Sequence, residues 1–198
     1  MFAHYKNAKI AAMSKPRARK IKLLLFDVDG VMTDGKLFFL PGLPGAVQGE
    51  NTSSMLEFKG FHAHDGVAIS LARIAGIKTG LITRRASETV AIRARDLKLD
   101  YVYQGNNDKG AAFQEIIAKE GIPASQAAFV GDDVIDLPAM RLAGLSIAVA
   151  NAREEVKEES HYVTPHAGGE GAVRDAIEYI LKAQGRLDEI IARYIGRR

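Results

Sequence analysis

Asp27-Val-Asp29-Gly30 sets two carboxylates two residues apart, directly after the apolar run 21–26. Chemistry-bearing residues recur at comparable places further on. Thr83 closes the run 79–83, and Lys109 lies just beyond the loop that follows Tyr101–Tyr103. Gly131-Asp132-Asp133 follows the run 127–130, with Asp136 three residues on. Carboxylates gathered in one crevice repel one another unless they protonate or hold a cation. Oxygen ligands of this kind suit Mg²⁺, which takes one or two carboxylates and keeps several waters. A metal facing Lys109 would cradle a phosphoryl group, whose transfer rests mainly on positioning and charge stabilisation. Asp27 is then the candidate nucleophile, because a carboxylate attacks phosphorus competently. Asp29 is placed to protonate the leaving alcohol and afterwards to activate water. Singly, an Asp-x-Asp is more often a turn or cap, Thr83 a turn hydroxyl and Lys109 a solvated lysine. Their recurrence in this order is what argues for a site.

Such a site needs a scaffold that brings the ends of several strands together. The runs 21–26, 79–83, 101–103, 127–130 and 146–149 read as strands buried on both faces. Between them lie helical patterns. Val67, Leu71 and Ile74 follow Asp65 as a plausible N-cap, Val90, Ala94 and Leu97 follow Ser87, and Phe113, Ile116 and Ile117 follow Asp108. This alternation predicts a doubly wound parallel α/β sheet with right-handed crossovers, whose ligands sit beyond the carboxyl ends of the strands. Residues 36–64 interrupt it. Two β-like runs, 37–40 and 55–61, flank a Pro/Gly-rich stretch and predict a β-hairpin with a long tip. An isolated hairpin is marginal in water, so it should pack on its own core or on other subunits. Near the end, Gly168-Gly-Glu-Gly171 precedes a helix carrying Val173, Ile177, Ile180 and Leu181, and a further helix runs over 187–195.

The chain of 198 residues suffices for one domain with a sizeable core, and 47% apolar with 26% charged residues is an ordinary globular composition. There is no Cys, which excludes disulfides and thiolate metal sites and suits a reducing cytoplasm. Seven cations fall within residues 1–22 with no acid, so the net charge of +3 becomes −4 for the remainder. The basicity is therefore a local arm over residues 1–20 rather than a nucleic-acid stripe. No stretch approaches the roughly 18 apolar residues of a membrane span, and no signal peptide is evident. His62 and His64 fall on one face of the second hairpin run, but with no Cys and no third nearby His a zinc site is set aside. Gly168–Gly171 lacks both dinucleotide and P-loop spacing and reads as a turn and helix start.

The four motifs Asp27-Val-Asp29-Gly30, Thr83, Lys109 and Gly131-Asp132-Asp133-Val-Ile-Asp136 resemble those of the haloacid dehalogenase-like hydrolases. The resemblance covers residues 21–184. It implies Asp27 as nucleophile, Asp29 as general acid/base, and Thr83 and Lys109 as phosphoryl-binding residues. It also implies Mg²⁺ held by Asp27, the backbone carbonyl of Asp29, and Asp132, with Asp133 and Asp136 in outer positions. Asp27 through Gly35, His64-Asp-Gly66, Gln104-Gly105, Asp136-Leu-Pro138 and Gly168 through Arg174 are similar to the 3-deoxy-D-manno-octulosonate 8-phosphate phosphatases. That subgroup lacks a cap domain and uses the hairpin to build a homotetramer in which a neighbour helps close the site. The implied substrate is a phosphorylated 3-deoxy-2-keto sugar acid. His64, Arg85 and Arg174 are the candidate substrate contacts. This chain has His64 where the subgroup usually has Arg, Arg84 where it usually has Gly, and a longer hairpin tip, so a nonulosonate 9-phosphate is the alternative substrate. A non-catalytic module is the alternative class, disfavoured because Asp27, Asp29, Lys109 and Asp132 are all present. A phospho-receiver would carry its acidic pair at the first strand, whereas Asp132-Asp133 follows the fourth.

Overall fold

A computed structural model describes residues 14–41 and 55–196 of the chain. In chain order its elements are β1 (Leu23–Phe26), β2 (Phe38–Pro41), β3 (Met55–Phe58), α1 (Ala63–Ile74), β4 (Lys78–Ile82), α2 (Glu88–Leu97), β5 (Tyr101–Tyr103) and α3 (Lys109–Glu120). They continue with β6 (Ala127–Gly131), α4 (Leu137–Leu142), β7 (Leu145–Ala148), α5 (Glu154–Glu159), β8 (Tyr162–Val163), α6 (Ala172–Ala183) and α7 (Leu187–Tyr194).

Six strands form one sheet in the order β5-β4-β1-β6-β7-β8, every neighbouring pair parallel. This is the doubly wound α/β sheet read from the sequence. β1 lies inside it, with Leu23 paired to Lys78 on one flank and to Ala127 on the other. Its four side chains are fully buried, each contributing about 1.5–3 kcal/mol relative to exposure. The chain winds outward through β4 and β5, then returns across β1 to β6. That reversal opens a crevice at the carboxyl ends of β1, β4 and β6. Helices cover both faces: α1 packs on α6 and α7, and α3 packs on α4. On α6, Val173, Ala176, Ile177, Ile180 and Leu181 recur at spacings of three and four and are all buried.

β2 and β3 form a separate antiparallel hairpin, Phe38 opposite Phe58, with those rings stacked at 5.0 Å. The expected long tip lies outside the described residues. Among the described residues there is no cap domain.

Three local expectations change. The second hairpin run stops at Phe58, and α1 begins at Ala63 with His62 in the N-cap position, so His62 and His64 share no strand. Asp65 does not cap α1; it lies inside the first turn, and its Oδ1 accepts the Arg174 N–H of α6 at 2.9 Å. Of the basic arm, residues 1–13 lie outside the described set. Residues 14–18 are helical, with Ala18 fully buried and Arg17 donating to the Gly144 carbonyl at 2.8 Å.

Candidate active site

The residue after each central strand points its chemistry into the crevice. Asp27 follows β1, and its N–H still bonds the Val130 carbonyl of β6, so the backbone is fixed up to the nucleophile position. Thr83 follows β4, and Asp132 follows β6. Lys109 is the first residue of α3, whose start is set by Asp108, its side chain accepting the Ala111 N–H at 2.9 Å. A buried lysine thereby reaches back to the strand ends.

Asp27, Lys109 and Asp136 make the buried heart of the site, at 3%, 3% and 0% exposure. Lys109 Nζ lies 2.8 Å from Asp27 Oδ2 and 2.5 Å from Asp136 Oδ1. The second Asp136 oxygen accepts the backbone N–H groups of Asp132 and Asp133, at 2.9 and 3.3 Å. Both oxygens of Asp136 are thus committed. Asp133 is exposed and caps the turn at Val134–Asp136, accepting the Val134 N–H.

Asp27 Oδ1 is buried and has no hydrogen-bond partner among the described residues. Carboxylate oxygens of Asp27, Asp132 and Asp136 come within 4.8 Å of one another. Burial, then the charge of Asp136, pushes the Asp27 carboxyl up to about 6 against the pull of Lys109. Burial, then Asp136, Asp27 and Asp133, pushes Asp132 up to about 7. Burial alone would lower Lys109, but Asp27 and Asp136 outweigh it and raise it. An orphaned carboxylate oxygen beside a second strained carboxylate is the signature of a hard cation's seat, and the donor set fits one. Gly30 is part of that seat. It has φ 87°, and a Cβ there would lie 2.1 Å from Asp132 Oδ2.

Asp29 stands at the rim. Lys59, whose side chain is wholly buried, bonds Asp29 Oδ1 and lies 2.7 Å from Glu57 Oε1. Arg85 Nη2 donates to Glu57 Oε2 at 2.9 Å, with its Nε 3.7 Å from Asp29 Oδ2. Two acids and two cations from the turn after β1, β3, the residue after β3, and the β4–α2 turn therefore form one cluster. Sequence reading missed Lys59 and Glu57. The available signal was a lone lysine inside the apolar run 55–61.

A cleft of about 310 Å³ brings together Asp27, Asp29, Thr83, Arg85, Asp132 and Asp133, with Gly35, Arg84 and Ile135. Beside it a second cleft of about 290 Å³ is lined by Arg84, Asn106, Asn107, Lys109 and Ile135. His64 and Arg174 line neither. His64 is exposed, its ring edge-on to His62 at 4.7 Å. The Arg174 guanidinium pairs with Glu178 at 2.7 Å, one turn along α6. A larger cleft of about 920 Å³ opens at the opposite, amino ends of the strands, beside Lys22, Ile77 and Gln126. It contains no carboxylate or hydroxyl nucleophile, and its cations sit by the C-terminal ends of α1 and α6, where they complement helix dipoles.

The glycine cluster serves the site from behind. A Cβ on Gly168 would lie 1.8 Å from the Gly30 carbonyl oxygen, so only glycine lets this loop seat against the turn after β1. Asn151, another residue sequence reading missed, joins the two, donating to the Gly30 carbonyl and accepting the Gly168 N–H.

A carboxylate after the first strand, a hydroxyl after the next, a lysine opening a later helix and acids after β6 define a class. Residues 75–177 match the haloacid dehalogenase-like hydrolase family, and the chain belongs to that family. The 3-deoxy-D-manno-octulosonate 8-phosphate phosphatase of Escherichia coli (strain K12) is 39% identical over 173 residues, 87% of this chain and 86% of that protein. Its Yersinia pestis counterpart is 40% identical over 172 residues, again 87% of this chain and 86% of that protein. The crystal structure of the Moraxella catarrhalis phosphatase of the same name, in complex with magnesium ion, phosphate ion and KDO, superposes with a TM-score of 0.82 at 37% identity. It covers 92% of this chain and 98% of that one.

Proposed function

We infer that the chain is a Mg²⁺-dependent phosphomonoesterase that hydrolyses 3-deoxy-D-manno-octulosonate 8-phosphate through an aspartyl-phosphate on Asp27. The observation that carries the reading is the Asp27 carboxylate, held by Lys109 through one oxygen and orphaned at the other beside Asp132. The names of its relatives supply the substrate. Mg²⁺, held by Asp27, Asp132 and the Asp29 backbone carbonyl, would neutralise charge on the phosphoryl oxygens and on the nucleophile.

The protein's own groups perform the rest. Thr83 in the 310 Å³ cleft and Lys109 in the adjoining one orient the phosphoryl group between them. The Asp27 carboxylate attacks phosphorus, forming the aspartyl–phosphorus ester as the bond to the sugar oxygen breaks. Asp29 gives its proton to that leaving oxygen. It then takes a proton from the water that hydrolyses the aspartyl-phosphate, returning both carboxylates to their starting state. Lys59 and Arg85 hold Asp29 in place through this exchange.

The same reading makes the protein a cytoplasmic homotetramer assembled through the hairpin. Leu37, Phe38, Phe39, Leu40 and Phe58 are 41–53% exposed in the single chain, an apolar concentration of the kind that marks an interface. No helix among the described residues is long and apolar enough to cross a membrane.

The test is phosphate release from a panel of phosphorylated sugars that includes the octulosonate 8-phosphate and nonulosonate 9-phosphates, with Mg²⁺ and with EDTA. Magnesium-dependent preference for the octulosonate is expected, and Asp27→Asn should abolish release while keeping the circular dichroism spectrum. Preference for a nonulosonate would keep the mechanism and move the substrate. Turnover by Asp27→Asn would overturn the mechanism.

A further inference from the structure

We propose that Arg84 is a specificity residue that binds the second anionic group of the substrate, the carboxylate remote from the phosphoryl group. The proposal rests on the reading above, in which the substrate is a phosphorylated sugar acid.

The cations around the crevice are not equivalent. Lys109 is held between Asp27 and Asp136. Lys59 is buried between Asp29 and Glu57. Arg85, the arginine expected from sequence to meet a carboxylate, is already paired with Glu57 and lies beside Asp29. For Arg85 to bind a substrate carboxylate it would have to share a guanidinium that two protein carboxylates already neutralise. Arg84 makes no ion pair among the described residues. Among the described residues it is the cation on the wall of this crevice that no carboxylate pairs with.

Its placement and orientation are suited to the task. Arg84 lines both the cleft that holds Asp27 and the adjoining cleft that reaches Asn106 and Asn107. A group bound to it would lie where the two clefts meet, at Arg84 and Ile135. Its Nε donates to Asn107 Oδ1 at 3.1 Å, which orients the guanidinium and, among the described residues, leaves its two terminal nitrogens without a hydrogen-bond partner. The loop carrying Asn107 is in turn tied to the strand end, because the Asn106 N–H bonds the Thr83 carbonyl at 3.1 Å. A guanidinium held in one plane loses less freedom on binding than a mobile side chain, and its fork matches the two oxygens of a carboxylate.

The experiment compares kcat/KM for 3-deoxy-D-manno-octulosonate 8-phosphate with that for glucose 6-phosphate, which lacks a carboxylate, in wild type, Arg84→Gly, Arg84→Ala and Arg84→Lys. A charge-assisted hydrogen bond of ordinary strength predicts that the selectivity ratio falls roughly tenfold or more in Arg84→Gly and Arg84→Ala, mostly through KM for the sugar acid. Arg84→Lys should retain part of the ratio, because it keeps the charge and loses the fork. A ratio unchanged in Arg84→Gly and Arg84→Ala, with wild type preferring the sugar acid, overturns the role of Arg84 and leaves the proposed function standing. Wild type that hydrolyses neither ester, or shows no preference for the carboxylated one, overturns the sugar-acid reading itself. A loss of general activity with the ratio intact also counts against the proposal, because a merely structural role would lower both esters together.

Discussion

Lys109→Met should make the protein easier to unfold and should stop turnover, and Mg²⁺ should soften only the first effect. The Lys109 side chain is 2% exposed and sits between two carboxylates at 2.8 and 2.5 Å. Breaking a buried ion pair by removing one partner costs about 3–5 kcal/mol, because the surviving charge is left uncompensated. Two circumstances pull the figure toward the lower end. Asp136 keeps the backbone N–H donors of Asp132 and Asp133, and Asp27 already titrates near 6, so it takes up a proton readily. A loss of about 3 kcal/mol at neutral pH in EDTA is expected, which at a urea slope of about 2–3 kcal/mol/M lowers the midpoint by about 1–1.5 M. In millimolar Mg²⁺ the gap to wild type should narrow, since a cation on Asp27 supplies charge to the same carboxylate and stabilises the folded state by mass action. Turnover should stay lost, by roughly a hundredfold or more, because the proposed phosphoryl site loses its lysine. Urea titrations followed by circular dichroism, with a phosphate-release assay on the same samples, read all of this. The double variant Asp27→Asn/Lys109→Met should recover part of the stability, since it strands one charge fewer. A midpoint shift under about 0.3 M in EDTA, or a double variant no more stable than Lys109→Met alone, would refute the argument that charge pairing holds this lysine.

Asp65 is 2% exposed with Oδ2 unpartnered, and burial pushes its carboxyl up to about 6 against the Arg174 amide, His62 and Arg93. The folded form therefore holds a proton that the unfolded form has released, so stability is full below the unfolded value of 3.8 and declines as pH rises through about 6. Asp65→Asn should gain about 1–2 kcal/mol over wild type at pH about 8 and nothing at pH about 4; an equal gain at both pH values would sink this account. Gly168→Ala places a Cβ 1.8 Å from the Gly30 carbonyl oxygen. It should cost about 1–3 kcal/mol and lower kcat about tenfold or more by displacing the turn that carries Asp29, and wild-type kinetics in a folded Gly168→Ala protein would contradict that. Phe39→Glu combined with Leu40→Glu should reduce the assembly to monomers by light scattering, since both side chains are about half exposed in the isolated chain; an unchanged mass would exclude the hairpin as the interface.

Much of the fold was legible because it depends on local pattern. Buried strands such as Leu23–Phe26 are apolar throughout, and Ser87 and Asp108 stand immediately before α2 and α3. The strand-end rule then brought Asp27, Thr83, Lys109 and Asp132 into one crevice, where the structure also gathers them. What stayed hidden involves partners far apart in sequence or elements too short to show a period. Asp65 looked like the cap of its own helix, yet it accepts the first-turn amide of a helix more than a hundred residues later. Lys59 lay in an apolar run, and its worth rests on Asp29 and Glu57, which no spacing rule links to it. β8 has two residues, and α4 and α5 have six each, fewer than two helical turns. Arg85 seemed the free guanidinium, and only the three-dimensional position of Glu57 shows it engaged.

The sheet order also has a consequence for when the site can come into being. β1 leaves the ribosome first but occupies an interior lane, and Leu23 must wait for Ala127 to arrive before its second edge is paired. Until then the Asp27 amide lacks the Val130 carbonyl, and Lys109 has no Asp136 to lean on. Closing so long a loop is slow, and an unpaired central edge invites wrong neighbours in the interval. A chain arrested before β6 would carry Asp27 and Asp29 and yet lack the Asp132 and Asp133 wall of their cleft. The site is therefore complete only where β6 has paired with β1 and joined the two halves of the sheet.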